Sequence, residues 1–330
     1  MAEKIKISVP EKIYDLLRKD AKDFRILKPS GEENRNAFIN RLVLNDYEAF
    51  SAADEKLHQS IRAALSILPE KYAKEAFPEV VKAIAGREHG EKWGKSVPLS
   101  FKPTGATERA TVYIENVLLR NETISAFYRR MFMSYAAKPK DERERIIHKS
   151  NYELLLSAIA EGRQVCLSLE NGVVYNNASV YAVEASRDEL FNYALLFSDK
   201  KNRTIRLAKI RTVSLLAGSA QIPEAAAGLF ARQVAAGAQY PMYSTDRDPI
   251  RVQLTEKGKF LFEKIYLYRP VPVSVSGDVY TFDCSANQAL YYFERFGSEA
   301  LILSPKRLGI FMRNYYYFAL KKYRTVYGND

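Results

Sequence analysis

The sequence predicts a multidomain α+β protein made of three parts in series. Three observations predict this. A strand–helix–helix pattern occupies the first fifty residues and returns near residue 97. A helix over 151–161 leads into closely spaced, β-branched strands that run to about residue 216. The last hundred residues mix short strands with helices, as a small α+β sandwich does. The boundaries read as 1–140, 141–222 and 223–330, and 330 residues suit two or three domains.

In KIKISVP, Ile5, Ile7 and Val9 alternate with Lys4, Lys6 and Ser8, which predicts a half-exposed strand. Pro10 and Glu11 then open a helix carrying Ile13, Leu16, Leu17 and Ala21 at helical spacing. The loop LKPSGEENR leads to a second helix, about 36–50, with Phe38, Ile39, Leu42, Val43 and Tyr47 on its apolar face. The pattern recurs. Val97, Leu99 and Phe101 alternate with Ser100 and Lys102, and helices follow at about 107–119 and 123–136. Ala37, Phe38, Arg41, Leu42, Val43 and Leu44 match Ala126, Phe127, Arg130, Met131, Phe132 and Met133 at a constant offset. The stretch between, about 51–95, reads as helical and ends in GREHGEKWGKS.

Strand, helix, helix in fifty residues resembles the ribbon-helix-helix family. Its units pair so that two strands form one antiparallel ribbon able to enter a DNA groove. Here one chain carries both halves. The resemblance implies that Lys4, Lys6, Ser8, Ser100 and Lys102 face a nucleic acid. The ribbon lacks the Arg, Asn or Gln that best read base edges, and Pro98 and Pro103 flank its second strand. Nucleic-acid contact and a purely scaffolding pair are both open readings.

After residue 161 the runs VCLSLE, VYNNASVYAVEAS, FNYALLFS and RTIRLAKIRTVSLL read as strands of a small, strongly bent barrel. Within it, Tyr193 and the segment Arg203, Arg206, Leu207, Lys209, Ile210 resemble the paired motifs of the WYL-domain family. The Trp and Leu of that family's name motif are absent, and the likeness covers about 151–217. It implies an Sm- or SH3-like β-barrel that senses a ligand or binds nucleic acid. Lys200, Lys201, Arg203, Arg206, Lys209 and Arg211 form the densest basic cluster of the chain, with one acid, Asp199, among them. By strand alternation Arg203, Lys209 and Arg211 share parity, Arg206 faces the other way, and the two lysines lie in a turn. A nucleic-acid site is the favoured reading, with Tyr193 available to stack on a base. A charged strand edge is the alternative.

GSAQIPEAAAGLFARQVAAGAQYP reads as a linker with a loose helix. IRVQL, VPVSVSG, VYTFD and ALILS read as strands, with helices at SANQALYYFERFG and PKRLGIFMRNYYYFALKKYRTVY. This order resembles the C-terminal extension that follows many WYL domains. Tyr291, Tyr292, Phe293, Phe296, Phe311, Tyr315, Tyr316, Tyr317, Phe318, Tyr323 and Tyr327 crowd it. Four consecutive aromatics cover every face of a helix, so some must leave their own core. They suit a subunit interface, or base stacking beside Arg313, Lys321, Lys322 and Arg324.

Chemistry-bearing motifs are missing from the sequence. His58, His89 and His148 fit no metal-binding spacing, and no phosphate-binding loop or nucleophile elbow occurs. Cys166 reads as a buried structural thiol, and two cysteines make neither a disulfide framework nor a thiolate zinc site. The carboxylates of KDERERII alternate with arginines, as on a solvated helix face. We expect no enzyme, no metal and no cofactor. The apolar runs are too short to span a bilayer and the first residues lack a signal-peptide core, so no membrane partner and a cytoplasmic location are expected. A net charge of +11 calls for a polyanionic partner.

The order of parts resembles the WYL-domain accessory proteins of type VI-D CRISPR systems. That likeness implies a homodimer that binds single-stranded RNA and stimulates an RNA-guided ribonuclease effector without cleaving RNA itself. The alternative is a DNA-binding transcription regulator whose WYL barrel senses a ligand. The residues alone do not separate RNA from DNA.

Overall fold

The computed structural model describes residues 3–88, 95–119 and 122–328, which form two compact units, Met1–Lys149 and Ser150–Asp330. Much of the GREHGEKWGKS segment, with His89, lies outside the described residues.

In the first unit, β1 (Ile5–Pro10) and β2 (Ser96–Phe101) form a two-stranded antiparallel ribbon, with Ile7 opposite Leu99 and Lys6 opposite Ser100. Ile7, Val9, Leu99 and Phe101 are buried beneath it. Each strand runs into a helix, α1 (Glu11–Asp23) and α4 (Ala106–Tyr113), the latter continued by a π-helical turn over Ile114–Leu118. Each half then has a second helix. The helix α2 (Arg35–Leu65) packs on β2, and α5 (Ile124–Ala137) packs on β1. The matched sequences occupy equivalent places. Asn34 caps α2 by accepting from the Ala37 N–H, and Thr123, 89 positions on, caps α5 by accepting from the Ala126 N–H. Phe38, Leu42, Val43, Phe127, Met131 and Phe132 are all buried. The segment between the halves is helical, as expected: α2 extends past Phe50 to Leu65, and α3 (Glu70–Glu88) follows.

The charged run at 140–147 is α6 (Lys140–Ile147), and it is not a solvated face. Glu144 is fully buried. Arg143 reaches Asp20 of α1, its Nε 2.7 Å from Oδ2, and Tyr135 of α5 donates to the same oxygen at 2.9 Å. Asp20 is itself buried, so an ion pair ties three helices together where alternation of signs predicted solvent.

In the second unit, α7 (Lys149–Ala160) precedes a five-stranded antiparallel sheet. Its strands are β3 (Arg163–Leu169), β4 (Val174–Ala185), β5 (Asn192–Ser198), β6 (Lys201–Arg206) and β7 (Ile210–Ser219), in the order β6-β5-β4-β3-β7. The expected barrel does not close, because β6 and β7, at the two ends of that order, share no ladder. The sheet is nevertheless curled. Five flat strands would separate β6 from β7 by ~19 Å. The chain between Arg206 and Ile210 is one 3₁₀ turn, which spans ~14 Å at most. The inner face holds Val165, Leu167, Ala178, Val180, Ala194, Leu196, Ile205 and Val213 around Leu155 and Ala158 of α7.

The outer face is covered as well. The presumed linker is a regular helix, α8 (Glu224–Ala236), whose fully buried Phe230 stacks on Tyr181 of β4 at 5.1 Å. Gln233 of α8 donates to Thr204 of β6. Cys166 is not buried either: its neighbours Val165 and Leu167 take the core positions, and its Sγ lies 3.3 Å from Asn176 Oδ1.

The remaining residues add a second sheet, β11-β8-β10-β9, from β8 (Ile250–Leu254), β9 (Pro272–Ser276), β10 (Val279–Phe282) and β11 (Ala300–Ser304). Three helices join it: α9 (Glu256–Lys264), which the sequence reading passed over, α10 (Ala286–Phe293) and α11 (Lys306–Tyr327). Phe262 of α9 sits within 6.5 Å of the rings of Tyr280, Phe282, Tyr292 and Phe293, which form the aromatic core. No helix among the described residues is long and apolar enough to cross a membrane.

Candidate nucleic-acid interface

On the ribbon, register decides which side chains gather. The outer face carries Lys6 and Ser8 of β1 and their partners Ser100 and Pro98 of β2. Lys6, Ser8 and Pro98 are exposed and Ser100 is half-buried. Lys4 and Lys102 lie just beyond the paired residues, at adjoining ends of the two strands, both exposed. The end near Lys102 is anchored to α2. Its N–H donates to Asn36 Oδ1 at 2.8 Å, and its carbonyl accepts from Asn40 Nδ2 at 2.9 Å. One further cation, absent from the sequence reading, belongs here: Arg129 of α5 donates from Nε to the Ser8 carbonyl at 2.6 Å. Only the repeat alignment could have signalled it, because α5 crosses β1 solely in the paired arrangement.

On the five-stranded sheet the basic cluster is spread out. Asp199 and Lys200 both have positive φ, so β5 and β6 join through a two-residue turn with primed geometry. Lys200 and Lys201 project from it, exposed. At the other end of the hairpin, ~17 Å away at strand rise, Tyr193 and Arg206 are direct cross-strand partners. Tyr193 is half-buried, with exposed Glu184 as its β4 neighbour. The Arg206 guanidinium carbon lies 3.2 Å from the centre of the Phe191 ring. Arg203 projects from the opposite face, opposite Leu196, where its guanidinium lies 5.4 Å from the Tyr175 ring and 4.0 Å from the Asp199 carboxylate. Lys209, in the 3₁₀ turn, and Arg211, at the start of β7, are exposed. The structure thus joins Tyr193 with Arg206 and Lys200 with Lys201, and leaves Arg203 across the sheet. The exposed charges of the cluster are those of Lys200, Lys201, Lys209 and Arg211, and Arg203 and Arg206 are half-buried.

The aromatics of the last hundred residues divide. Tyr292, Phe293 and Phe296 belong to the core, and the Tyr292 hydroxyl donates to the Ile265 carbonyl at 2.6 Å. Tyr316 is half-buried and bonds the Glu294 carbonyl. Phe311, Tyr315, Tyr317, Phe318, Tyr323 and Tyr327 are exposed on α11, whose only buried residues are Leu308 and Met312.

Among the described residues no group of three or more His, Cys, Asp or Glu could hold a metal ion. His148 bonds the Phe24 carbonyl at 3.0 Å, and His58 packs edge-on to Phe77. Burial pushes the Cys284 thiol up to about 12, with Asp283 and Asp246 adding to the effect.

Comparison with known proteins matches this chain to solved structures. A solved structure described as a CRISPR Cas-related protein superimposes with a TM-score of 0.68 at 18% identity, covering 99% of this chain and 95% of that one. The two share a fold. The proteasome accessory factor B/C of Arthrobacter aurescens aligns over 70% of this chain and 39% of its own, at 15% identity and a TM-score of 0.25. No protein-family profile matches the sequence, and no curated protein does.

Proposed function

We propose that this protein is a single-stranded RNA-binding accessory protein that stimulates an RNA-guided CRISPR ribonuclease effector and is not itself catalytic. The observation that carries the reading is the near end-to-end likeness in fold to a CRISPR Cas-related protein. The exposed basic groups of the five-stranded sheet support it. In this reading the first unit is a fused ribbon-helix-helix pair. The curled sheet is a WYL domain, and residues 223–330 are its C-terminal extension.

The chemistry is that of a binding protein. Lys200, Lys201, Lys209 and Arg211 neutralise phosphates, and each cation that displaces a counterion strengthens the salt dependence. Arg206 and Arg203, held against aromatic rings, present planar donors for bidentate contact. Tyr193, beside Arg206, offers a stacking surface worth ~1–3 kcal/mol per base. The exposed aromatics of α11 suit a homodimer interface.

The test is RNA cleavage by a type VI-D effector with its guide, with and without this protein. The expected result is a faster cleavage rate with the protein present and no cleavage by the protein alone. An unchanged rate, or cleavage by the protein alone, would refute the reading.

The ribbon favours a second reading, a DNA-binding regulator, because Lys6, Ser8 and Ser100 share one outer face. That reading requires strong preference for one duplex sequence, which selection from a random duplex pool would detect.

A further inference from the structure

A cavity of about 560 Å³ opens at the turn end of the five-stranded sheet, on the outer face beside the start of α8. The volume is within the ~300–1,000 Å³ of small-molecule sites. One row of cross-strand partners builds its floor: Gln164 of β3 opposite Ser179 of β4, and Ser179 opposite Phe197 of β5. The segment before α8 forms a wall and is fixed there by the Gln221 N–H, which donates to Ser179 Oγ at 2.8 Å. Asn177, with positive φ, completes the polar lining.

The composition of this lining is selective. Gln164, Asn177 and Gln221 each bring an amide, which offers a donor and an acceptor side by side, as the edge of a nucleobase does. Phe197 brings a ring for stacking. Ser198 and Asp199 line the mouth, and Lys200 and Lys201 follow them directly in the chain, where a phosphate of the same nucleotide would lie. An apolar ligand would strand three amides, and a polyanion alone would have no use for the ring.

From this we infer that the cavity holds one splayed-out base of a single-stranded nucleic acid, stacked on Phe197 and read along its edge by Gln164, Asn177 and Gln221. The inference rests on the single-strand-binding reading above and gives it a site beyond the basic cluster.

The test uses the full chain and two labelled oligonucleotides of equal length, one an ordinary single-stranded RNA and one an abasic ribose-phosphate chain, measured by fluorescence anisotropy. The ordinary strand should bind about tenfold tighter or more. Phe197→Leu, and separately the exposed-site variant Gln221→Ala, should shrink that ratio toward one while the abasic affinity and the melting temperature hold. Equal binding of the two strands by the unaltered protein would overturn the base site together with stacking on Tyr193, and an unchanged ratio in both variants would overturn the base site alone; in either case the phosphate contacts of the RNA reading stand. Binding of neither strand at low salt would overturn the RNA reading, and the site with it.

Discussion

Arg203 and Arg206, three residues apart on β6, project from opposite faces of the sheet, one against Tyr175 and the other against Phe191. Each guanidinium is therefore part of the packing as well as a candidate RNA contact. Arg206→Ala should cost ~1–2 kcal/mol of stability through the lost ring contact and the buried stem. Lys209→Ala and Arg211→Ala, at exposed positions, should stay within ~0.5 kcal/mol. Urea unfolding of the three variants checks this, and equal midpoints would show that the Phe191 contact contributes nothing.

The Asp20–Arg143 pair is a second structural commitment. Removing one partner leaves a charge buried among α1, α5 and α6, and Arg143→Met should cost ~3–5 kcal/mol. Replacing Asp20 by Asn should do similar damage, because the Tyr135 hydroxyl and the guanidinium both lose the carboxylate. Thermal melting of both variants reads the effect.

The two thiols should differ in reactivity. Cys284 is buried with its thiol pushed up to about 12, so at pH 8 it stays protonated. Cys166 is half-exposed on the strand face that turns from the core. Iodoacetamide at pH 8 should label Cys166 in the folded protein and reach Cys284 only after denaturant is added. Peptide mass mapping would show the reverse order if the burial assigned to Cys284 were wrong.

The exposed aromatics of α11 should hold two copies together. Tyr317→Ser combined with Phe318→Ser should convert a dimer to a monomer in light scattering without lowering the melting temperature. A monomer before mutation would remove the dimer from the proposal.

The strands and helices of this chain were largely legible because period two and period 3.6 are local signals. The repeat was legible too, since a ribbon strand and its helix carry one apolar face each, and the caps Asn34 and Thr123 fall at the offset that Ala37 and Ala126 set. What was missed depends on tertiary partners. Arg143 looks like a solvated charge until Asp20 and Tyr135 are brought against it, and Glu144 looks like one until the fold buries it. The helix α8 looked like a linker because Ala and Gly hide its few packing residues, Ala226, Phe230 and Gln233. The candidate site was legible as a list of cations and not as a surface. The 3₁₀ turn at Leu207–Lys209 breaks the alternation that would have placed Lys209 and Arg211 with Arg203.

The central claim is that the exposed basic groups of the five-stranded sheet bind single-stranded RNA. Competition between labelled single-stranded RNA and random duplex DNA tests it most directly, run from about 50 to 200 mM salt. The companion protein carries Lys200, Lys201, Lys209 and Arg211 changed to Gln, which spares the two packed arginines. If about five phosphates are neutralised, the salt slope is about −3.5 and affinity falls roughly a hundredfold over that range. RNA should win, and the fourfold variant should bind it more weakly with a shallower slope. Preference for the duplex, with the variant binding as tightly as the original, would contradict it and move the site to the ribbon around Lys4 and Lys6.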